Sequence, residues 1–227
     1  MPIPFFSIIT VCLDAPRLED TCSSIVRQTF QDFEWIVIDG GSALNNLQIF
    51  QQYKNRLDAF VSENDAGLYD AMNKGLARAQ GLFVNFMNAG DAFARPDILS
   101  QAHKTLKSAP DIDVLYGEVC ILRADEKIIS LTPGILDKNF FRNRTISHQA
   151  AFIRKSMFER FGLYDTGLKI TADYKHFLSM FMGQAKFARL EAVVAVQEGT
   201  GKSVRQADLL FQERRLVKAE MEEFFRD

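Results

Sequence analysis

A surplus of charge is what this sequence most plainly lacks. Its 27 Lys and Arg stand against 29 Asp and Glu, a formal net charge of −2, whereas a chain that neutralises nucleic-acid phosphates carries a basic excess. No nucleic-acid partner is expected. A negatively charged substrate must then be met by a local site or a metal, because the field of the whole surface will not attract it. Cysteine is scarce: Cys12, Cys22 and Cys120 are odd in number and form no CxxC or Cys/His cluster, which argues against a disulfide scaffold and a zinc site. No apolar run approaches the roughly 20 residues that cross a bilayer. The start, Met1-Pro2-Ile3-Pro4, carries neither a basic segment nor a cleavage signal, so a reducing, cytoplasmic setting is the expectation. Internal repeats and low-complexity tracts are missing as well. What remains is an ordinary globular balance, 47% apolar and 25% charged over 227 residues, enough for one well-buried domain spanning 1–227.

The apolar pattern orders the elements. Residues 5–13 form a continuous β-branched run, which predicts a strand buried on both faces. Residues 18–29 follow at helical spacing through Leu18, Cys22, Ile25 and Val26. A second buried strand (35–38) stops at Asp39-Gly40-Gly41-Ser42, and a short helix (47–54) and third strand (59–61) come next. Residues 68–80 form a helix with Met72, Leu76 and Ala79 on one face and Gly81 as its stop. A fourth strand (82–87) ends at Asn88-Ala89-Gly90-Asp91. Alternation of this kind implies a mostly parallel sheet with helices on both faces. Beyond Asp91 the pattern loosens. It predicts a helix from Pro96 through Leu106, an antiparallel pair (114–122 and 128–131) joined through 124–127, and a long connection over 132–144. Helices at 155–161 and 172–182, a strand at 187–196 and a terminal helix at 203–225 complete it. The nucleotide-binding half is expected at about 1–91, an acceptor-binding half at about 92–202 and the C-terminal helix at 203–227.

Ligands of open parallel sheets bind outside the carboxyl ends of the strands. Three polar, turn-rich segments stand at such ends: Asp14-Ala15-Pro16, Asp39-Gly40-Gly41-Ser42 and Asn88-Ala89-Gly90-Asp91. Each alone reads as a turn; their coincidence at one edge points to a site. The segment from Cys12 to Arg17 has no glycine to cradle a triphosphate, and Gly40-Gly41-Ser42 does not make GxGxxG, which sets aside a nucleotidyltransferase and a nicotinamide-dependent dehydrogenase.

Four segments then carry a resemblance. Thr10-Val11, Trp35-Ile36-Val37-Ile38-Asp39-Gly40-Gly41-Ser42, the stretch from Ser62-Glu63-Asn64-Asp65-Ala66-Gly67 through Leu68-Tyr69-Asp70-Ala71-Met72-Asn73-Lys74-Gly75, and Phe86-Met87-Asn88-Ala89-Gly90-Asp91 resemble bacterial family 2 glycosyltransferases in letters, order and spacing. The resemblance runs from about residue 6 to 91 and resumes over 146–178. It implies a GT-A fold, Rossmann-like, with a small mixed or antiparallel extension on the acceptor side. It also implies a UDP- or GDP-sugar donor, a saccharide or lipid-linked saccharide acceptor and inversion at the anomeric carbon, in bacterial polysaccharide or lipopolysaccharide assembly.

By the same resemblance, Thr10 and Asp39 line the nucleoside pocket, and Asn88, Ala89 and Gly90 bind the donor where the family carries its metal-binding Asp-x-Asp-like element. Asp91 ligates a divalent Mg²⁺ or Mn²⁺ that bridges diphosphate oxygens. Relatives carry two adjacent acids there, so Gly90 leaves Asp91 as a lone carboxylate, and a nucleotide-sugar-binding protein without turnover is the alternative reading. Asp70, Asn73 and Lys74 share one helix face and belong to the site by resemblance; a solvated polar face is the other reading for Lys74. Gly67 supplies backbone freedom before that helix. Asp173 becomes the base that takes the acceptor's proton, in a first helical turn that also favours an acid. His148 and Gln149 form the acceptor wall, although a structural histidine fits His148 too. His103 and His176 read as ordinary helix residues. The terminal helix mixes Leu209, Leu210, Phe224 and Phe225 with Arg205, Arg214, Arg215 and Lys218. It is a candidate for packing on the domain, on a second subunit, or peripherally at the inner membrane, with Glu213, Glu220, Glu222 and Glu223 diluting its charge. Lys138 to Arg144, basic and aromatic, is the better candidate to meet an acceptor or bilayer, or else a loop anchored by its phenylalanines.

Overall fold

The computed structural model describes residues 3–123, 126–130, 132, 134–199 and 206–226. Strand β1 (Phe6–Cys12) has all seven residues buried, because helices cover both of its faces. Alternate side chains divide between two clusters: Ile9, Val11, Ile36, Ile38 and Val84 pack against Met72 and Leu76, while Ile8, Trp35, Val37 and Phe83 pack against Leu18, Cys22, Ile25 and Phe50. That is the two-sided burial the continuous apolar run implies. Strands β2 (Phe33–Asp39), β3 (Ala59–Ser62) and β4 (Phe83–Phe86) join β1 in parallel. Helices α1 (Leu18–Val26), α2 (Leu44–Gln52) and α3 (Leu68–Leu76) connect them.

The second half extends the same sheet with mixed direction. After the short β5 (Ala92–Phe93) and α4 (Ile98–Ser108) come β6 (Val114–Leu122) and β7 (Lys127–Ser130). Then follow α5 (Lys138–Asn143), β8 (Ala151–Arg154), α6 (Ser156–Phe161), α7 (Ala172–Met182) and β9 (Phe187–Glu198). The chain ends on α8 (Ala207–Glu220) and α9 (Glu222–Phe225). Spatial order is β3-β2-β1-β4-β8-β6-β9-β5, with β7 beside β6. β8 runs antiparallel to β4 and β6, whereas β9 is parallel to β6. Both clusters draw residues from either side of Asp91, so the two halves share their core.

Several boundaries differ from the sequence expectation. The first helix stops at Val26, and α3 at Leu76, short of the expected 29 and 80. The connection over 132–144 contains α5, whose N-cap Asp137 accepts the Phe140 N–H at 2.7 Å. Ala124, Asp125, Leu131 and Pro133, and the proposed helix start over 203–205 with Arg205, lie outside the described residues.

The basic-aromatic stretch is not an open loop. Phe140 and Phe141 are buried, Lys138 sits over the Phe224 ring and Arg142 over that of Phe225. α5 therefore packs against the C-terminal helices, with Lys138, Asn139, Asn143 and Arg144 still exposed. Val217 is fully buried, and Met221, Phe224 and Phe225 pack on the first cluster, so the terminal helices dock on the domain itself.

Candidate active site

The site is built from turns at the carboxyl edge. After β2 the Asp39 carboxylate, fully buried, accepts the N–H groups of Gly41 (3.2 Å) and Ser42 (3.1 and 3.2 Å) and the Ser62 hydroxyl (2.6 Å). An acid with that many donors is committed to closing the turn and to tying β2 to β3. Thr10 is likewise fully buried, its hydroxyl accepting the Trp35 indole N–H at 3.0 Å. Neither side chain, as folded, has an open face toward a nucleoside. The loop after β3 lies against this turn: a Cβ on Gly40 would fall 2.3 Å from Asp65 Oδ2. Gly67, at φ +130°, makes the bend into α3 in a region that side-chain-bearing residues rarely adopt.

The three polar residues of α3 separate into two groups. Lys74 Nζ lies 3.0 Å from Glu63, 3.3 Å from Asp70 and 3.1 Å from the Asn64 carbonyl oxygen, which fastens the loop to the helix. The Ala66 N–H, helped by Lys74, holds the Asp70 carboxyl below its ordinary value. Asn73 instead clamps the backbone of Tyr164, donating to its carbonyl (2.9 Å) and accepting from its N–H (3.0 Å).

The turn after β4 holds the residues expected at the metal-binding element. Asn88 to Asp91 closes through the Asp91 N–H on the Asn88 carbonyl (2.9 Å), and the Ala89 N–H reaches back to Val11 on β1 (3.0 Å). Gly90 takes φ +103° with nothing near its Cβ position. Thr21 on α1 holds the turn from below. Its hydroxyl accepts the Gly90 N–H (2.9 Å) and donates to the Asp91 carbonyl (2.6 Å). Burial pushes the Asp91 carboxyl up to about 7, against the opposing pull of His148 and Arg17.

From this turn a hydrogen-bonded chain crosses the site. Asn88 Nδ2 lies 2.9 Å from His148 Nε2, and His148 Nδ1 lies 3.1 Å from Asp173 Oδ2. Asp173 Oδ1 accepts the Tyr174 N–H (2.8 Å) and stands 3.0 Å from the Tyr69 hydroxyl, which also donates to the Ile170 carbonyl (2.7 Å). As drawn, the imidazole is the Nδ1–H tautomer, donating to Asp173 and accepting from Asn88. Burial opposes the charge on His148, but Asp173 and then Asp91 outweigh it and raise its pKa above the ordinary value. The three residues expected at the metal-binding element, the acceptor wall and the base thus form one chain, with Asp91 within its field.

Gln149 does not join it. It is 4% exposed and donates to Gln197 on β9. Sequence reasoning missed two residues that place this chain. Nothing in the sequence sets Thr21 apart from the other polar positions of α1. Asn85 in β4 is fully buried and donates to the carbonyls of Gln149 (3.1 Å) and Ala151 (2.9 Å), fixing the turn that presents His148. A polar residue inside an otherwise apolar strand was the available signal for Asn85.

A metal would find one carboxylate from this turn. Among the described residues no group of three or more His, Cys, Asp or Glu is placed to hold a metal ion. One carboxylate, together with the buried, unpartnered Asn88 Oδ1, fits a hard cation that shares its shell with phosphate and water, and does not fit an all-protein cage.

Comparison with known proteins shows the family and the fold. The model of the family described as "Glycosyl transferase family 2" matches residues 7–162. The chain belongs to glycosyltransferase family 2. A PGL/p-HBAD biosynthesis glycosyltransferase of Mycobacterium bovis is 31% identical over 198 residues, 86% of this chain and 76% of that protein. A putative teichuronic acid biosynthesis glycosyltransferase of Bacillus subtilis, TuaG, is 32% identical over 43% of this chain and 40% of its own. Among solved structures, S. aureus TarS 1-349 in complex with UDP-GlcNAc superimposes with a TM-score of 0.77 at 20% identity, over 95% of this chain and 66% of that one. A mannosyltransferase of Pyrobaculum calidifontis in complex with GDP-Man and Mn²⁺ gives 0.68 at 19%, over 93% and 61%. This family member has the GT-A fold, and it spans less than two thirds of the length of either solved protein.

Proposed function

We propose that this family 2 member transfers a sugar from a UDP- or GDP-sugar to an acceptor hydroxyl with inversion, in assembly of a bacterial saccharide or glycolipid. The observation that carries the reading is the Asn88–His148–Asp173 chain, which joins the donor-side turn to a carboxylate at the start of α7. Asp173 takes the acceptor's proton as the acceptor oxygen bonds to the anomeric carbon, and the bond from that carbon to the diphosphate breaks on the opposite face. His148 orients the Asp173 carboxylate. Asp91, with Asn88 beside it, would hold a Mg²⁺ or Mn²⁺ whose chemistry is to neutralise the departing diphosphate. The UDP-GlcNAc bound to TarS, and the GDP-Man and Mn²⁺ bound to the Pyrobaculum enzyme, support this reading.

Three free cysteines suit a reducing, cytoplasmic location. Among the described residues no helix is long and apolar enough to cross a membrane. Exposed Phe211 and Leu216 on α8, beside Arg215, form the surface we assign to peripheral membrane contact, with self-association as the competing use.

A binding protein without turnover is the second reading. It is favoured by one observation, that Asp173 is only 9% exposed with both oxygens already engaged. A thermal-shift screen of UDP- and GDP-sugars with and without Mn²⁺ identifies the donor. Asp173→Asn is then expected to keep nucleotide affinity and lose turnover by at least about a hundredfold. Full turnover in that variant rejects the base. Mn²⁺-dependent binding with neither hydrolysis nor transfer in the wild type supports the second reading.

A further inference from the structure

Glu213 sits in a helix whose sequence reads as a charged surface, yet it is 4% exposed. Its carboxylate accepts four hydrogen bonds, all from the segment that enters α7. They come from the backbone N–H groups of Lys169 (2.6 Å), Ile170 (2.9 Å) and Thr171 (3.0 Å), and from the Thr171 hydroxyl (3.0 Å). Three successive N–H groups converging on one point make an anion-holding concavity; here the anion belongs to the same chain. Thr171 makes no side-chain cap of its own for α7, since its hydroxyl is turned to Glu213. A second tie between the helices, Lys175 to Glu220 at 2.6 Å, docks α8 on α7 from the exposed side.

The grip reaches the reactive carboxylate in two bonds. Ile170, whose N–H Glu213 holds, offers its carbonyl to the Tyr69 hydroxyl at 2.7 Å, and that hydroxyl stands 3.0 Å from Asp173 Oδ1. Asp173 itself follows two residues after Thr171 at the start of the helix. We propose that Glu213 is a positioning residue for Asp173: α8 completes the active site by setting the backbone that aims Tyr69 and Asp173. This rests on the reading of Asp173 as the base. It makes the C-terminal helix part of the catalytic apparatus rather than a surface appendage.

Glu213→Gln keeps the size and removes the charge, and turns an amide donor toward N–H groups that are themselves donors. With the donor found in the screen above, and UDP or GDP plus Mn²⁺ as the affinity probe, kcat is expected to fall about tenfold (about 1.4 kcal/mol) at unchanged nucleotide Kd. Amide exchange should rise at 169–171 while the rest of the chain keeps its protection. Combined with Asp173→Asn, the second change should add no further loss, because both act on one group. Thr171→Val, which removes one of the four donors, should give a smaller loss in the same direction and serves if Glu213→Gln does not fold. Wild-type kcat in both variants, or losses that multiply with that of Asp173→Asn, would overturn the proposal while leaving the base intact. Full turnover in Asp173→Asn alone would instead remove the base itself, and the two failures are distinguishable.

Discussion

Replacing Asn73 by Ala should unfold the protein more readily without touching nucleotide recognition directly. The side chain makes two hydrogen bonds to the Tyr164 backbone, at 2.9 and 3.0 Å. A typical bond contributes about 1 kcal/mol net, and a half-buried partner left alone costs up to about 1–3 kcal/mol more. The expected loss is therefore about 3 kcal/mol, or about 9 °C in Tm at about 3 °C per kcal/mol for a chain of this size. Tyr164 amplifies the effect. Its ring packs on Tyr69, Phe86, Phe158 and His176, and the segment after it leads to α7. Asn73→Asp keeps the acceptor for the Tyr164 N–H but sets a carboxylate against its carbonyl, so it should be about as damaging as Ala. Urea and thermal unfolding, read beside calorimetric titration with UDP or GDP and Mn²⁺, decide the matter. Wild-type stability with lost nucleotide affinity would show that Asn73 contacts the donor and that the clamp is incidental.

Two further outcomes depend on protons. Because burial holds Asp91 up at about 7, a cation must displace a proton below that pH. The strengthening of nucleotide binding by Mn²⁺ is expected to weaken by up to about tenfold per pH unit below 7. Calorimetry between pH 5.5 and 8 reads this, and a flat response would remove Asp91 as ligand. Burial also lowers His176, stacked on Phe158, to about 4, below the ordinary imidazole value near 6.5. The unfolded chain then takes up its proton first. The stability held by the neutral ring is complete above about pH 6.5 and declines down to about 4, by about 3 kcal/mol in total. His148, with a raised pKa, works in the opposite sense, its contribution being lost as pH rises through its folded value. The measurement is therefore the difference between wild type and His176→Phe in urea at pH 7 and 4.5. An equal loss in both proteins would contradict the assignment.

Sequence by itself determined the sheet's first half and the positions of its turns. Side chains alternate across a strand, so a run such as Phe6 to Cys12, with apolar residues such as Ile8 and Ile9 at both alternations, must be covered on both faces, and polar, glycine-bearing segments must close its ends. Through its resemblance to family 2 it also singled out Asn88, His148 and Asp173, which lie far apart in the chain and meet in the fold. Tertiary structure alone decided what each polar atom does once there. Asp39 and Thr10 are consumed by the turn and the core, and Asn73 by the Tyr164 backbone. Thr21, Asn85 and Glu213 act on partners between 42 and 70 residues away. A hydrogen bond depends on where two groups lie to within a few tenths of an ångström, and local periodicity carries no such distance. Glu213 has the letter and spacing of a solvated helix acid. Only the packing of α8 on the entry to α7 makes it a buried anion with four donors.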